Sequence, residues 1–310
     1  MKLFPSIFLS LLLPLAVVAQ SVQIQDGAIL AEFSVSDSTK VYFSQGNLQY
    51  QASICDLDLI NNNDLDILII STFRFAEHQW DFVGDSVLGN VYEDGIKSDN
   101  ANISPVYNGW IDLFGWGTSG YNYIKPYEIS THYGHYGASY ADIAGTNYDW
   151  GVNNKISNGG NQVGLWRTLT HKEWEYVVSK RLNARYLQGM AIVNGVKGLI
   201  LLPDNWEPPK GVTFTNEIAI INNRIDVCPQ NIYSTIDWNK MEANGAVFLP
   251  AAGYRDGTDV SNVGFGGFYW SSSNCHHYEA GFLHVYYDAR ARIISRSHGL
   301  SVRLVQDVKK

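Results

Sequence analysis

Cysteine is scarce in this chain, with three residues in 310. Cys55, Cys228 and Cys275 lie far apart, and their odd number excludes a fully paired disulfide framework of the kind found in small exported domains. Three cysteines remain compatible with one disulfide, but their spacing does not identify the pair.

Basic residues are also in short supply. Lys and Arg total 22 against 30 Asp and Glu, which gives a net charge of −8, and charged residues make up only 17% of the chain. A general nucleic-acid-binding protein needs a basic footprint. The composition therefore predicts no nucleic-acid partner.

Long apolar runs are absent after the first 20 residues. Lys2 precedes an apolar run from Leu3 to Val18, and Ala19-Gln20 follows it, which is the pattern of a signal peptide over residues 1–20. A membrane anchor is the alternative, but the run is at the short limit for a span. No cysteine follows the run, so a lipoprotein anchor is not indicated. We predict an exported protein, periplasmic, cell-surface or secreted, with no membrane span in its mature chain.

Aromatic residues and glycine are plentiful, whereas proline is sparse. Aromatic side chains make up 13% of the chain and hydrophobic ones 45%, with 28 glycines and nine prolines. This composition predicts a loop-rich globular protein packed around aromatic side chains. No linker or internal repeat divides residues 21–310, so we predict a single α+β domain. The tryptophans expected in its core are Trp110, Trp116, Trp166 and Trp206.

Two helices are predicted from their capping signals. Thr170 and Glu173 have capping-box spacing at the start of a helix that ends near Arg181, and Trp174, Val177, Val178 and Arg181 share its inward face. Thr235 or Ser234 can cap a second helix through Met241, which Asn244-Gly245 ends. The predicted strands are two between Ser21 and Tyr50, then Ala191–Val193, Lys197–Leu202, Ala246–Pro250, Phe268–Ser271, Gly281–Tyr287 and Leu300–Val305.

The segment Gly264–Val305 is rich in His, Tyr and Arg and holds four of the eight histidines. Large amphipathic side chains of these types dominate binding hot spots. Alternation from Gly281 to Tyr287 places Phe282, His284 and Tyr286 on one face, which we interpret as an exposed adhesive patch. The alternative is that these side chains pack against the long loops. The predicted ligand-binding residues are Asn274, His276, His277, Tyr278, Phe282, His284, Tyr286, Asp288, Arg290 and Arg292.

The arginines of this segment have two interpretations. Arg290, Arg292 and Arg296 are expected either to be solvated or to pair with Glu279 and Asp288. The histidines do not indicate a metal site, because zinc sites need three or four ligands with defined spacing. Here His276-His277 are adjacent, and His132 and His135 are an isolated pair. We therefore predict no metal and no cofactor.

Several motifs resemble one superfamily. The string Trp166–Tyr176 (WRTLTHKEWEY) resembles the R-L-P-T-E-x-E-W-E-Y helix of formylglycine-generating-enzyme-like proteins, and Gly299–Val305 (GLSVRLV) resembles their closing G-F-R strand. Four longer strings are similar to a family of exported Bacteroidetes proteins, which includes relatives of the variable proteins of diversity-generating retroelements and the Fibrobacter succinogenes major paralogous domain. These strings are Lys40–Tyr50, Tyr107–Gly117, Leu201–Trp206 and Gly245–Arg255.

The resemblance implies a C-type-lectin-like fold with few helices, short mostly antiparallel strands and many long aromatic-rich loops. In variable proteins of this kind a stable frame carries outward positions that contact the ligand, here within residues 264–305. The insertion Cys55–Ile70, which we interpret as hairpin-like, has no counterpart in the family pattern. Frame positions by this resemblance are Trp270, Ala280, Leu283, Val285, Gly299, Val302 and Arg303.

Two activities of related proteins lack their motifs. Calcium-dependent lectins use Glu-Pro-Asn or Gln-Pro-Asp with Trp-Asn-Asp, but here Trp238-Asn239 precedes Lys240, and Pro203-Asp204-Asn205 is out of order. Formylglycine-generating and sulfatase-modifying oxidases use two cysteines five residues apart. Cys275 is followed at that spacing by Ala280, and one thiol cannot supply the two thiolates that Cu(I) favours.

The sequence therefore predicts a non-enzymatic recognition or adhesion protein, with a protein or a cell-surface glycan as ligand. The oxidase is the first alternative, and the missing cysteine pair counts against it. A structural surface protein without a specific ligand is the second alternative.

Overall fold

The computed structural model describes residues 24–51, 72–82, 98–99, 109–126, 141–217, 219–221, 224–256 and 259–309. Three sequence predictions fall outside these ranges. They concern the signal segment, the Cys55–Ile70 insertion and the His132–His135 pair.

Short strands dominate the described residues, and most of them pair with antiparallel neighbours. They are β1 (Ile24–Gln25), β2 (Ala28–Ile29), β3 (Phe33–Ser34), β4 (Lys40–Phe43), β5 (Leu48–Gln51), β6 (Thr72–Phe75), β7 (Ser98–Asp99), β8 (Trp110–Ile111), β9 (Phe114–Gly115), β10 (Arg167–Thr168), β11 (Gln188–Val193), β12 (Val196–Leu201), β13 (Ala219–Ile221), β14 (Arg224–Asp226), β15 (Ile232–Tyr233), β16 (Val247–Pro250), β17 (Ala252–Asp256), β18 (Asp259–Val263), β19 (Gly267–His276), β20 (Glu279–Val285), β21 (Ala289–Ser295), β22 (His298–Leu300) and β23 (Leu304–Asp307).

Helices are few and short in the described part of the chain. The α-helices are α1 (Trp150–Asn153), α2 (His171–Glu175), which continues as a π-helical turn (Tyr176–Lys180), and α3 (Thr235–Ala243); 3₁₀ turns cover Tyr121–Tyr123, Ala184–Tyr186 and Pro229–Asn231. None of the described helices is long and apolar enough to cross a membrane. The fold is thus mostly β, in agreement with the coarse prediction of few helices and short antiparallel strands.

Both predicted helix caps are confirmed. The Thr170 hydroxyl accepts a hydrogen bond from the Glu173 backbone N–H at 3.2 Å, and the Glu173 carboxylate accepts one from the Thr170 N–H at 2.8 Å. The four residues of the predicted inward face, Trp174 to Arg181, are all buried. Ser234, rather than Thr235, caps α3, and Asn244 ends it. Local capping chemistry therefore predicted the start of both helices.

The largest sheet has eight strands and contains the C-terminal segment. Its main order is β21-β20-β19-β17-β18-β7, with β22 pairing to β17 and β9. Two further sheets have four strands each, in the orders β10-β23-β4-β3 and β15-β11-β12-β16. The first of these pairs Val305 near the C-terminus with Phe43 near the N-terminus. Strands near both ends of the described chain, β3 and β4 at one end and β23 at the other, therefore belong to one sheet.

Strands β19 and β20 contribute to two different hydrophobic clusters, one on each face. Trp270 and Phe282 belong to a cluster with Trp116, Trp150 and Trp166. Tyr269, Leu283 and Val285 belong to a second cluster with Trp174 of α2. A third cluster packs Trp238 and Met241 of α3 against β11, β12 and β16. Because successive side chains of a strand point to opposite faces, both faces of the β19–β20 hairpin are packed.

The regular structure differs from the sequence prediction in several places. Residues 24–51 form five strands rather than two, and Ala289–Ser295 is among the strands that were not predicted. The predicted strand Leu300–Val305 is not continuous, because β22 ends at Leu300 and β23 begins at Leu304. Trp116 and Trp166 are buried as expected, whereas Trp110 and Trp206 are half-buried. The Arg74 guanidinium carbon lies 3.7 Å from the Trp110 ring centroid. This is a cation–π contact with a partly exposed indole.

Candidate ligand-binding surface

The frame positions are buried without exception. They are Trp270, Ala280, Leu283, Val285, Gly299, Val302 and Arg303. A side chain at Gly299 would displace its neighbour, because a Cβ there would lie 2.2 Å from Nε of the buried Arg255. The Trp270 indole N–H donates to the Phe114 carbonyl at 2.7 Å, which ties β19 to β9. The segment therefore has a rigidly packed base.

Arg303 is the most heavily anchored frame residue. Its guanidinium donates to Gln79 Oε1 at 2.6 Å and to the Phe248 carbonyl at 3.2 Å. Gln79 in turn accepts from the Phe248 N–H at 2.7 Å and donates to the Ala246 carbonyl at 3.0 Å. Burial lowers the pKa of Arg303 to about 10, which leaves it protonated at neutral pH. The segment between β22 and β23 is thus fixed by a buried charged hydrogen-bond network.

Most of the predicted ligand-binding residues fall into two groups at opposite ends of β20. The turn group consists of Asn274, His276, His277 and Tyr278, next to the β19–β20 turn. The tip cluster, at the β20–β21 turn, consists of the predicted residues His284, Tyr286, Asp288 and Arg290 together with Tyr287, which was not predicted. The predicted residues Phe282 and Arg292 are paired along β20 and β21 and belong to neither group. Since β20 runs from Glu279 to Val285, a rise of about 3.3 Å per residue separates the groups by roughly 20 Å. The structure therefore does not bring the predicted residues into one site.

Phe282 corrects the sequence prediction. It shares a face with His284 and Tyr286 as the alternation indicated, but it is only 4% exposed. Its ring stacks against Phe268, with ring centroids 5.8 Å apart and planes 13° apart. Phe282 therefore belongs to the core and is not available to a ligand. The exposed part of this face begins one pair of residues further along, at His284.

The tip cluster is a contiguous aromatic surface. The His284 and Tyr286 rings are nearly parallel, 6° apart, with centroids at 6.0 Å, and the Tyr286 and Tyr287 centroids are 3.9 Å apart. Phe268 supports His284 from the core side at 4.9 Å. The Tyr287 hydroxyl donates to the Tyr286 hydroxyl at 3.0 Å. These contacts hold exposed rings in defined orientations.

Charges in the tip cluster are balanced locally. Arg290 lies opposite His284 in the β20–β21 pairing and forms an ion pair with Asp288. Partial burial, together with the positive charge of Arg292, lowers the pKa of His284. Arg292 itself is exposed and lies opposite Phe282. At neutral pH, His284 is therefore an uncharged aromatic donor and acceptor.

The turn group is supported by Arg296. Of the two sequence interpretations of this residue, the solvated one is wrong, because Arg296 is buried and its guanidinium lies 4.3 Å from the Trp116 ring centroid. It also donates to the His276 carbonyl at 3.2 Å. His276, His277 and Tyr278 project as exposed side chains, and Asn274 is half-buried with its N–H bonded to Asp142 at 2.7 Å. Arg296 therefore fixes the base of this turn.

A cleft of about 530 Å³ adjoins the tip cluster. Its floor is apolar and consists of Met190, Leu199 and Ala289, which pack at the edge of the second hydrophobic cluster. Its polar rim consists of Arg185, Gln188, Asn216, Glu217, Tyr287 and Asp288. Because Tyr287 and Asp288 belong to both, the tip cluster and the cleft form one continuous surface. Sequence reasoning missed the cleft, since its two sides lie some hundred residues apart.

Thiol and metal chemistry have little support in the described residues. Cys228 and Cys275 are free thiols. Burial, with Asp142 and Glu279 nearby, raises the pKa of Cys275, which opposes formation of the reactive thiolate. The described part of the chain contains no group of three or more His, Cys, Asp or Glu side chains arranged to hold a metal ion.

Comparisons with protein-family models, with curated proteins and with solved structures give no match to this chain. The resemblance to C-type-lectin-like proteins therefore depends on the sequence motifs alone. The geometry of the frame, the tip cluster and the cleft is independent of it.

Proposed function

We propose that this chain is an exported, non-enzymatic recognition protein with a C-type-lectin-like fold. It binds a protein or a cell-surface glycan non-covalently through the tip cluster and the adjoining cleft. On the motif resemblance, it is related to the variable proteins of diversity-generating retroelements. The surface-protein alternative without a specific ligand differs from this proposal in requiring no defined binding surface.

One observation carries the proposal. Within residues 264–305, the tip cluster keeps large aromatic and charged side chains at least partly exposed to solvent, while every frame position is buried. Tyr286 and Tyr287 are 37% and 42% exposed, although they are held by ring and hydroxyl contacts. Rigid, exposed aromatic side chains supply binding area at low entropic cost. This combination favours recognition over a passive surface.

The oxidase alternative has no supporting observation in the described residues. Its chemistry needs two thiolates at one site, and Cys275 is a half-buried thiol with a raised pKa. Ala280, five residues on, is buried in the first hydrophobic cluster. These observations count against the oxidase alternative.

The proposal is tested by screening the immobilised full chain against a glycan array and a phage-displayed library of folded protein domains. Each hit is then measured with the triple variant His284→Ala/Tyr286→Ala/Arg290→Ala. We expect this variant to lose at least about thirtyfold in affinity, because hot-spot truncations of this kind cost about 2 kcal/mol or more. Circular dichroism should show an unchanged fold, since all three side chains are at least partly exposed.

The matched control is the triple variant His78→Ala/Tyr123→Ala/Lys155→Ala, which removes an imidazole, a phenol and a cation from exposed positions outside the tip cluster. It should bind as the parent does. Equal affinity of the tip variant and the parent for every hit would refute the assignment of the surface. A neighbouring reverse transcriptase gene and a near-copy of the DNA for residues 264–305, differing at adenines, would separately support the variable-protein relationship.

A further inference from the structure

We propose that the cleft beside the tip cluster binds a neutral oligosaccharide, an inference that rests on the proposed recognition function and names its ligand class. A volume of about 530 Å³ is within the range of small-molecule sites, which are concave and combine an apolar lining with a few polar groups. The floor of Met190, Leu199 and Ala289 and the polar rim have this composition.

The charges of the rim favour an uncharged ligand. Asp288 is neutralised by its ion pair with Arg290. The remaining rim charges are one cation, Arg185, and one anion, Glu217, which sum to zero. A phosphate or a polyanion would face Glu217 without a surplus of positive charge, and a polycation would face Arg185. The cleft therefore has no net field that would select a charged ligand.

The polar groups of the rim suit hydroxyls. Asn216 carries a donor and an acceptor, Arg185 donates and Glu217 accepts. A sugar hydroxyl both donates and accepts, so it can bond to any of these side chains. Their planar end groups can contact two adjacent hydroxyls at once, as guanidinium and carboxylate groups do with each other.

Gln188 forms a fixed part of the cleft wall. Its amide nitrogen donates to the Val178 carbonyl at 2.5 Å, which fixes the orientation of the side chain. Its Oε1 is buried without accessible surface, so a ligand does not reach that atom. The hydroxyls of a saccharide would bond instead to Arg185, Asn216 and Glu217, which also line the cleft.

Tyr287 supplies the aromatic platform. Its ring is 42% exposed at the rim and is held by Tyr286 through ring and hydroxyl contacts. Sugar rings have apolar C–H faces beside their hydroxyl edges, and an exposed phenol ring is amphipathic in the same way. A folded-protein ligand would instead be expected to use the wider tip cluster.

The test is a titration of the ¹⁵N-labelled full chain with uncharged hexasaccharides: maltohexaose, cellohexaose, xylohexaose, mannohexaose and laminarihexaose. We expect at least one probe to shift the Gly189 and Ala289 amide resonances saturably, with a dissociation constant in the millimolar range or tighter. Tyr287→Ala and Arg185→Ala should each weaken this binding about tenfold, which corresponds to about 1.4 kcal/mol. Tyr123→Ala, which removes an 89% exposed phenol away from the cleft, should leave it unchanged.

The outcomes separate this inference from the proposed function. If no neutral hexasaccharide shifts these amides, or if only oligogalacturonate or chitosan hexamer does, the saccharide inference is refuted, and protein ligands of the tip cluster are unaffected by that result. If a neutral probe binds at the cleft but the tip-cluster triple variant binds all other hits normally, the inference stands and the tip-cluster assignment fails.

Discussion

We expect Asp149→Asn to be less stable than the parent protein at pH 4 and more stable than it at pH 7. Asp149 is fully buried and caps α1. Its carboxylate accepts from the Gly151 N–H at 3.1 Å, from the Thr168 N–H at 3.0 Å and from the Thr168 hydroxyl at 2.8 Å. Burial nevertheless raises the pKa of Asp149 to about 6, because desolvation penalises the charged form more than these donors favour it.

The sign of the effect follows from the raised pKa. The folded protein binds the Asp149 proton more tightly than the unfolded chain, whose Asp pKa is about 4. The stability that this group contributes is therefore fully present below about pH 4 and is lost as the pH rises through about 6. A shift of about two pKa units corresponds to about 3 kcal/mol of unfolding free energy.

The asparagine variant cannot ionise and loses this dependence. Its carbonyl can still accept from the Thr168 N–H, and its NH₂ group can donate to the Thr168 hydroxyl. The NH₂ group then faces the Gly151 N–H, which loses its acceptor at a cost of about 1 kcal/mol. The variant should therefore be about 1 kcal/mol less stable than the parent at pH 4 and about 2 kcal/mol more stable at pH 7.

Urea unfolding followed by tryptophan fluorescence at half-unit steps from pH 4 to pH 8 measures both free energies. Other titrating groups are shared, so the difference between the two profiles isolates Asp149. Parallel profiles, or a parent that gains stability relative to the variant as the pH rises, would show that the buried carboxyl is not raised in pKa.

Two further predictions concern the frame. Trp270→Ala should lower the free energy of unfolding by about 3–5 kcal/mol because the indole is fully buried. Tyr278→Ala, which removes an exposed aromatic side chain of the same segment, should change it by less than about 0.5 kcal/mol. Equal losses in urea unfolding would contradict the division into buried frame positions and exposed positions. Gln79→Leu should lower the free energy of unfolding by about 2–4 kcal/mol, because the buried Arg303 guanidinium loses its shortest hydrogen-bond acceptor. In a double-mutant cycle with Arg303→Met, additive losses of unfolding free energy would contradict a coupling between the two residues.

Local chemistry accounts for what the sequence predicted well. The capping box of Thr170 and Glu173 and the cap at Ser234 act within four residues, so their signals are visible in a single sequence. The alternation around Leu283 likewise assigned each side chain of β20 to the correct face. Alternation does not show how far a neighbouring layer covers that face, which is why Phe282 was assigned to the surface although Phe268 and Trp270 cover it.

The remaining features depend on distant parts of the chain. Strand β21 was missed because alternating Ala and Arg resembles a solvated loop until β20 provides its pairing partner. The contact of Arg296 with the Trp116 ring was not predicted, because nothing near Arg296 in the sequence indicates that ring. The cleft requires β11, the 216–217 loop and the β20–β21 turn to meet. Such contacts follow from the tertiary arrangement and leave no local pattern.

The pairing of β23 with β4 has a kinetic consequence. Val305 pairs with Phe43, although nearly the whole described chain separates them in sequence. Arg303, also near the C-terminal end, donates hydrogen bonds to Asn47 and Gln79. Contacts of such large sequence separation are slow to form, because the intervening chain must first be ordered. During synthesis, β3 and β4 consequently cannot complete their sheet until β23 has been made. Until then, the apolar side chains of β3 and β4 stay exposed to chaperones and to aggregation.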